Sequence, residues 1–103
     1  MNQLTLKSVR FEQVESKVKT ATLRSGAIHV NLGESVVVDT ETQKQLPVKV
    51  TKVVVCKMNE LTEEMLQKNN YKNYDDAKKT MTSLYPYISD NSVVTHVEFE
   101  LLG

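Results

Sequence analysis

The sequence predicts an α+β fold, in which a mixed or antiparallel sheet of about five to six strands curls on itself beside flanking helices. Three observations lead there. The elements read strand, helix, strands, two helices, strand, without the repeated strand–helix–strand units of a parallel sheet. Valine is abundant and recurs in alternating runs, the pattern of strands with a buried face. In the longest run the inward parity flips near Thr51-Lys52: Val48 and Val50 sit on even positions, Val53 and Val55 on odd ones. Such a flip predicts a β-bulge that bends a strand around a barrel.

Leu4 and Leu6 alternate with Thr5 and Lys7 and give a short first strand. Phe11, Val14 and Val18 follow at helical spacing, with Ser8 as the candidate N-cap. "KTATLRSG" is an alternating, threonine-rich strand closed by Gly26. On it Thr20, Thr22 and Arg24 share one face, and Ala21 and Leu23 the other. The small apolar pair is expected to look inward, which leaves the polar trio to line a cavity or meet water. Leu32-Gly33-Glu34 turns into a strand over 35–39, residues 40–45 form a loop, and Pro47 opens the long bulged strand. Thr62 caps a helix that has Glu63 and Glu64 at its positive end and Leu61 stapled to Leu66. After a polar break, Asn73 caps a second helix with Asp75 and Asp76 in its first turn. Its buried stripe is Tyr74, Ala77, Met81 and Leu84, and Pro86 marks its end. Val93, Thr95, Val97, Phe99 and Leu101 then alternate with His96, Glu98 and Glu100, a closing strand with one apolar face and its glutamates solvated.

A chain of 103 residues predicts a single domain over residues 1–103, since neither half alone could bury a core. Hydrophobic residues at 40% and charged residues at 25% exclude a disordered chain. The charges balance overall but not locally. Nine Lys/Arg and five Asp/Glu precede Asn59, against four and eight from there on, so the halves carry +4 and −4. A bulk polyanion binder is excluded, whereas a local basic patch that meets a phosphate is not. Cys56 is the only cysteine and lies in "VVVCKM", where it reads as a small buried hydrophobe. No signal-type or membrane-spanning run is visible, so the expected location is cytoplasmic. His29 and His96 belong to no spaced ligand set, and no glycine-rich phosphate loop or nucleophile elbow is present. Neither a metal nor a cofactor is expected.

That leaves Lys19–Arg24 as the segment able to carry chemistry. Its end cations and the hydroxyls between them suit a phosphate. A desolvated, hence less basic, lysine could instead activate a hydroxyl nucleophile. An exposed edge strand offers the same residues with no site at all, and the pattern alone leaves the three readings open.

The stretch Lys17-Val18-Lys19-Thr20-Ala21-Thr22-Leu23-Arg24 resembles the signature of the ASCH family of small PUA-like β-barrels, Gly-x-Lys-x-x-(Glu or Thr)-x-Arg. Lysine, the threonine variant and arginine match, and Lys17 stands at the glycine position. "LGESVVV", "LTEEMLQKNN", "DDAKKTMTSLYP" and "VVTHVEFELL" extend the similarity over nearly the whole chain, most closely to the small bacterial N4-acetylcytidine amidohydrolases. The resemblance implies a PUA-like/ASCH barrel, with Thr22 as nucleophile and Lys19 as its activator. The family's glutamate acid/base falls at Asn70, or at Asn69 if a one-residue gap moves, and neither amide can carry a proton at neutral pH. The first expectation is therefore a module that binds RNA or a modified nucleoside or nucleotide through Lys19, Thr20, Thr22, Arg24 and Asn70. The alternative is deacetylation of N4-acetylcytidine by Thr22 and Lys19. A barrel that has lost the chemistry and serves regulation is a third reading.

Overall fold

The structure, a computed structural model, describes residues 3–102. In chain order the elements are β1 (Gln3–Leu6), α1 (Ser8–Glu15), β2 (Ala21–Ser25), β3 (Gly33–Asp39) and β4 (Gln45–Lys57). A single turn of 3-10 helix (Met58–Glu60), α2 (Glu63–Lys68), α3 (Tyr74–Leu84) and β5 (Val93–Leu101) follow. The strands form one five-stranded sheet in the order β1-β3-β4-β5-β2, parallel at β1·β3 and antiparallel elsewhere. This is the α+β, mixed-sheet architecture expected, curled into a half-barrel that strand pairing does not close. Between its edges, β1 and β2, the Arg24 guanidinium donates from Nη2 to the Thr5 carbonyl at 2.7 Å.

The predicted bulge is present. β4 and β5 slip register between Val50 and Lys52, so Val48 and Val50 keep company with Leu101 and Phe99 before the shift, and Val53 with Val97 after it. Directly opposed residues share a face, and β5 uses both of its faces. Val97 and Phe99 pack on the concave side with Leu4, Phe11, Val14, Val37, Val48 and Val50. Val94 packs on the other side with Leu23, Met58, Leu66, Ala77 and Met81, beneath α2 and α3.

That second layer corrects the reading of two strands. In β2, Leu23 lies opposite His96 under the helices, whereas Thr22 and Arg24 lie opposite Val97 and Thr95 on the concave side. Ala21, Thr22 and Leu23 are all buried, so the polar residues look into the half-barrel and the apolar pair looks away from it. In β5, Thr95, His96 and Val97 are buried in succession and Glu98 is half-covered. The alternation there is real, but both of its sides are covered.

Other boundaries differ locally. Ser8 lies inside α1 instead of capping it, and its hydroxyl donates to both Asp39 carboxylate oxygens at 2.8 Å, tying α1 to β3. α1 stops at Glu15, leaving Val18 in the following turn, 53% exposed. Pro47 is the third residue of β4, not its first, and Leu84 is exposed at the end of α3. Cys56 is half-buried, and burial pushes its thiol pKa up. The helix starts are as expected: Thr62 Oγ1 accepts from Met65 N at 3.2 Å, and Asn73 Oδ1 accepts from Asp76 N at 2.9 Å.

A basic cavity between the sheet edges

The chain enters the site through a tight reversal after α1. Lys17 adopts the left-handed conformation, φ +68°, and the Val18 and Lys19 amides both donate to the Gln13 carbonyl at 3.0 and 3.1 Å. Thr20 is then clamped between layers, its amide donating to Lys68 O at 2.8 Å and its carbonyl accepting from Phe99 N at 3.0 Å. Lys19, held between these two anchors, is turned inward and is only 2% exposed. Its ammonium donates to the Asn69 main-chain carbonyl at 3.1 Å and lies 5.6 Å from the centre of the Tyr71 ring.

Burial, with the neighbouring charges of Arg10 and Arg24, lowers the Lys19 pKa from 10.5 to about 7. None of those causes is a carboxylate. Thr22 is 3% exposed, and beside it the Arg24 Nε is buried without a hydrogen-bond partner among the described residues. Arg24 is displaced from its ordinary value by burial as well, with Tyr85 beside it, but a guanidinium remains charged.

Lys19, Thr22 and Arg24 line one cavity of about 210 Å³. Lys7 and Arg10 come to it from the start of α1, Thr5 from β1, Tyr71 from the loop before α3, and Leu84 and Tyr85 from the end of α3. Four basic side chains thus surround a space whose lining includes no acidic one. Burial pushes the Tyr71 phenol up, so it stays protonated and able to donate. The volume is below the roughly 300–1,000 Å³ of pockets that enclose a whole drug-sized ligand. One group of a larger ligand fits such a space.

On the helix side of β5, a chain of hydrogen bonds runs from buried Asn69 and His96 to the half-buried Glu98 and Lys68. Asn69 Nδ2 donates to Met65 O at 2.8 Å and to His96 Nδ1 at 3.1 Å. His96 must then donate from Nε2 to Glu98 Oε2, at 2.9 Å, while Lys68 donates to Glu98 Oε1 at 2.9 Å. Burial lowers the His96 pKa, which keeps the ring neutral in that tautomer. Burial alone would raise Glu98, but the bonds from Lys68 and His96 outweigh it and hold the carboxyl below its usual range.

A second, more open cavity of about 390 Å³ is lined by Lys17, Lys19, Thr20, Lys68, Glu98 and Glu100, among others. The structure therefore gathers Lys19, Thr22 and Arg24, sets Thr20 on the neighbouring cavity, and leaves Asn70 out of both. Asn70 is exposed at φ +64°, just beyond the C-terminus of α2, where a left-handed asparagine ends a helix. Asn69 contributes its carbonyl, not its side chain, to Lys19. Sequence reading missed Lys7, Arg10, Tyr71 and Tyr85. The basic excess of the first half was the one available signal, and nothing local shows which cations converge.

No family model matches the chain, and no curated protein does. Solved structures resemble it closely in shape at low identity. A DUF984-family protein from Enterococcus faecalis is 18% identical, with 99% of this chain and 80% of that one covered and a TM-score of 0.75. A hypothetical protein, PH0355, is 17% identical with 97% of both chains covered, TM-score 0.73. An ASCH domain from Lactobacillus crispatus is 11% identical, with 97% of this chain and 79% of that domain covered and a TM-score of 0.68. The chain has an ASCH-like fold. At these identities the likeness concerns the backbone alone. Lys17 carries its left-handed φ at a cost that a glycine there would not incur.

Proposed function

We propose that this ASCH-like domain is a binding module for RNA or a modified nucleoside or nucleotide. In this reading an anionic group of the ligand is held between Lys7, Arg10, Lys19 and Arg24. The observation that carries it is the cavity's one-signed lining. Four cations with no carboxylate are mutually repulsive without a ligand, and a phosphate relieves that repulsion. The Thr22 hydroxyl and the phenols of Tyr71 and Tyr85 add hydrogen-bonding capacity for sugar or base. A titration with RNA oligonucleotides and 5′-nucleotides at low salt, where phosphate contacts are strongest, tests this reading. Detectable affinity that falls with salt is expected, and no affinity at low salt rejects the proposal.

A second reading, hydrolysis of N4-acetylcytidine, is favoured by one pair of facts. Lys19 titrates near neutrality, and Thr22 lines the same cavity. A neutral Lys19 amine could take the Thr22 proton as the oxygen adds to the acetyl carbonyl, and return it to N4 as the amide C–N bond breaks and cytidine leaves. Water would then hydrolyse the threonyl acetate. The absence of an acidic lining residue weighs against it, since a general acid or base typically contributes about 10²–10⁴-fold in rate. Cytidine release that disappears in Thr22→Ala and in Lys19→Ala would support this chemistry. Release that survived both substitutions would remove it.

A further inference from the structure

A cavity-lining residue, Tyr85, touches an aromatic side chain that the core does not use. Tyr87 is 73% exposed, the most exposed large hydrophobic side chain among the described residues. It is also held in place. Its hydroxyl is hydrogen-bonded to Ser25 Oγ at 3.2 Å, at the end of β2. Tyr85, which lines the cavity, has its ring centre 6.2 Å from that of Tyr87, the planes tilted at 59°. A tethered, largely exposed ring thus adjoins one residue of the cavity wall.

We infer that Tyr87 is a stacking platform for a base of single-stranded RNA whose backbone phosphate occupies the neighbouring basic cavity. This rests on the proposed RNA-binding function and narrows it to a single strand, because a base held in a duplex cannot lie flat on a side chain. Charge and shape agree on the occupant. The cavity supplies the cations that a phosphodiester needs and is too small for a whole nucleotide chain, so the adjoining base must lie outside it. Outside it, in ring contact with the cavity-lining Tyr85, lies Tyr87. Its anchored hydroxyl lowers the entropy lost when a base stacks, and stacking on an aromatic face tolerates any base. A selective pocket for one free nucleoside would have little use for this ring.

The experiment compares a short single-stranded oligoadenylate with inorganic phosphate, which reports the cavity alone. Tyr87→Ala should weaken oligoadenylate binding about 5- to 150-fold, the range found for loss of one base–aromatic stack, and leave phosphate binding unchanged. Tyr87→Phe keeps the ring and should stay within a few-fold of the wild type. The sequence has no tryptophan. Tyr87→Trp therefore installs a single reporter, whose emission should change with oligoadenylate and not with phosphate. Oligoadenylate binding untouched by Tyr87→Ala, or a reporter emission that ignores saturating oligoadenylate, overturns the inference while the binding function stands. Failure of the wild type to bind either probe overturns both.

Discussion

Raising the pH from about 6 to about 8.5 should weaken the binding of a phosphodiester oligonucleotide by discharging Lys19. In the free protein its pKa is about 7, lowered by burial and by Arg10 and Arg24. An anion in the cavity neutralises part of that field and returns the pKa toward its ordinary value, so binding takes up a proton wherever the free lysine is neutral. Linkage then fixes the size of the effect. Lys19 is about 90% protonated at about pH 6 and about 3% at about pH 8.5, so the affinity should fall by about 30-fold, near 2 kcal/mol. Oligoadenylate is the appropriate ligand, since neither its phosphodiesters nor its adenines titrate in this window. Fluorescence anisotropy at constant ionic strength reads the change. Lys19→Met should bind more weakly at about pH 6 and show a nearly flat profile. Wild-type affinities that agree within about threefold across the range, or a Lys19→Met profile as steep as the wild type's, would refute the reasoning.

Four further expectations concern the scaffold. Lys17→Gly should stabilise the fold by about 0.5–1 kcal/mol, because the strain of a left-handed lysine exceeds the extra chain entropy of glycine; a lower melting temperature would contradict that. Arg24→Met should cost roughly 1.5–3 kcal/mol in urea unfolding by removing the charged bond that joins β1 to β2, and an unchanged midpoint would show that the half-barrel edges need no strut. Stability should fall as the pH drops below about 6.5, the unfolded value of a histidine, because His96 is held neutral in the fold and the unfolded chain binds its proton first. Comparing the wild type with His96→Gln isolates this share, and equal losses in the two would reject it. Lys19 acts in another window: its depressed pKa makes stability rise with pH from about 7 toward 10.5, a slope that Lys19→Met should abolish.

The elements of this fold are written locally and could be read so. Thr62 and Asn73 cap their helices because a short acceptor side chain must satisfy amides that no helix can satisfy internally. The bulge in β4 showed as a change of valine parity, since strand side chains alternate with a period of two and only an inserted residue can reverse them. The neighbourhood of Lys19 also followed from its residues, to the extent that the lysine, Thr22 and Arg24 do meet in one cavity. What misled was the assumption of a single buried layer. With α2 and α3 packed on the back of β5 and β2, His96 became a buried neutral link and the polar side of β2 turned inward.

The α+β class, the bulge, the helix caps and the closeness of Lys19, Thr22 and Arg24 were legible in the residues, because each rests on interactions within a few residues or on strand periodicity. Long-range packing set Lys7, Arg10, Tyr71 and Tyr85 beside them, with no carboxylate among the described residues that line the cavity. Those residues come from a helix, a loop and a helix end far apart along the chain, and no local preference records their meeting. The depressed pKa of Lys19 has the same origin. Desolvation is a property of everything packed around an atom, and a strand pattern carries no information about that.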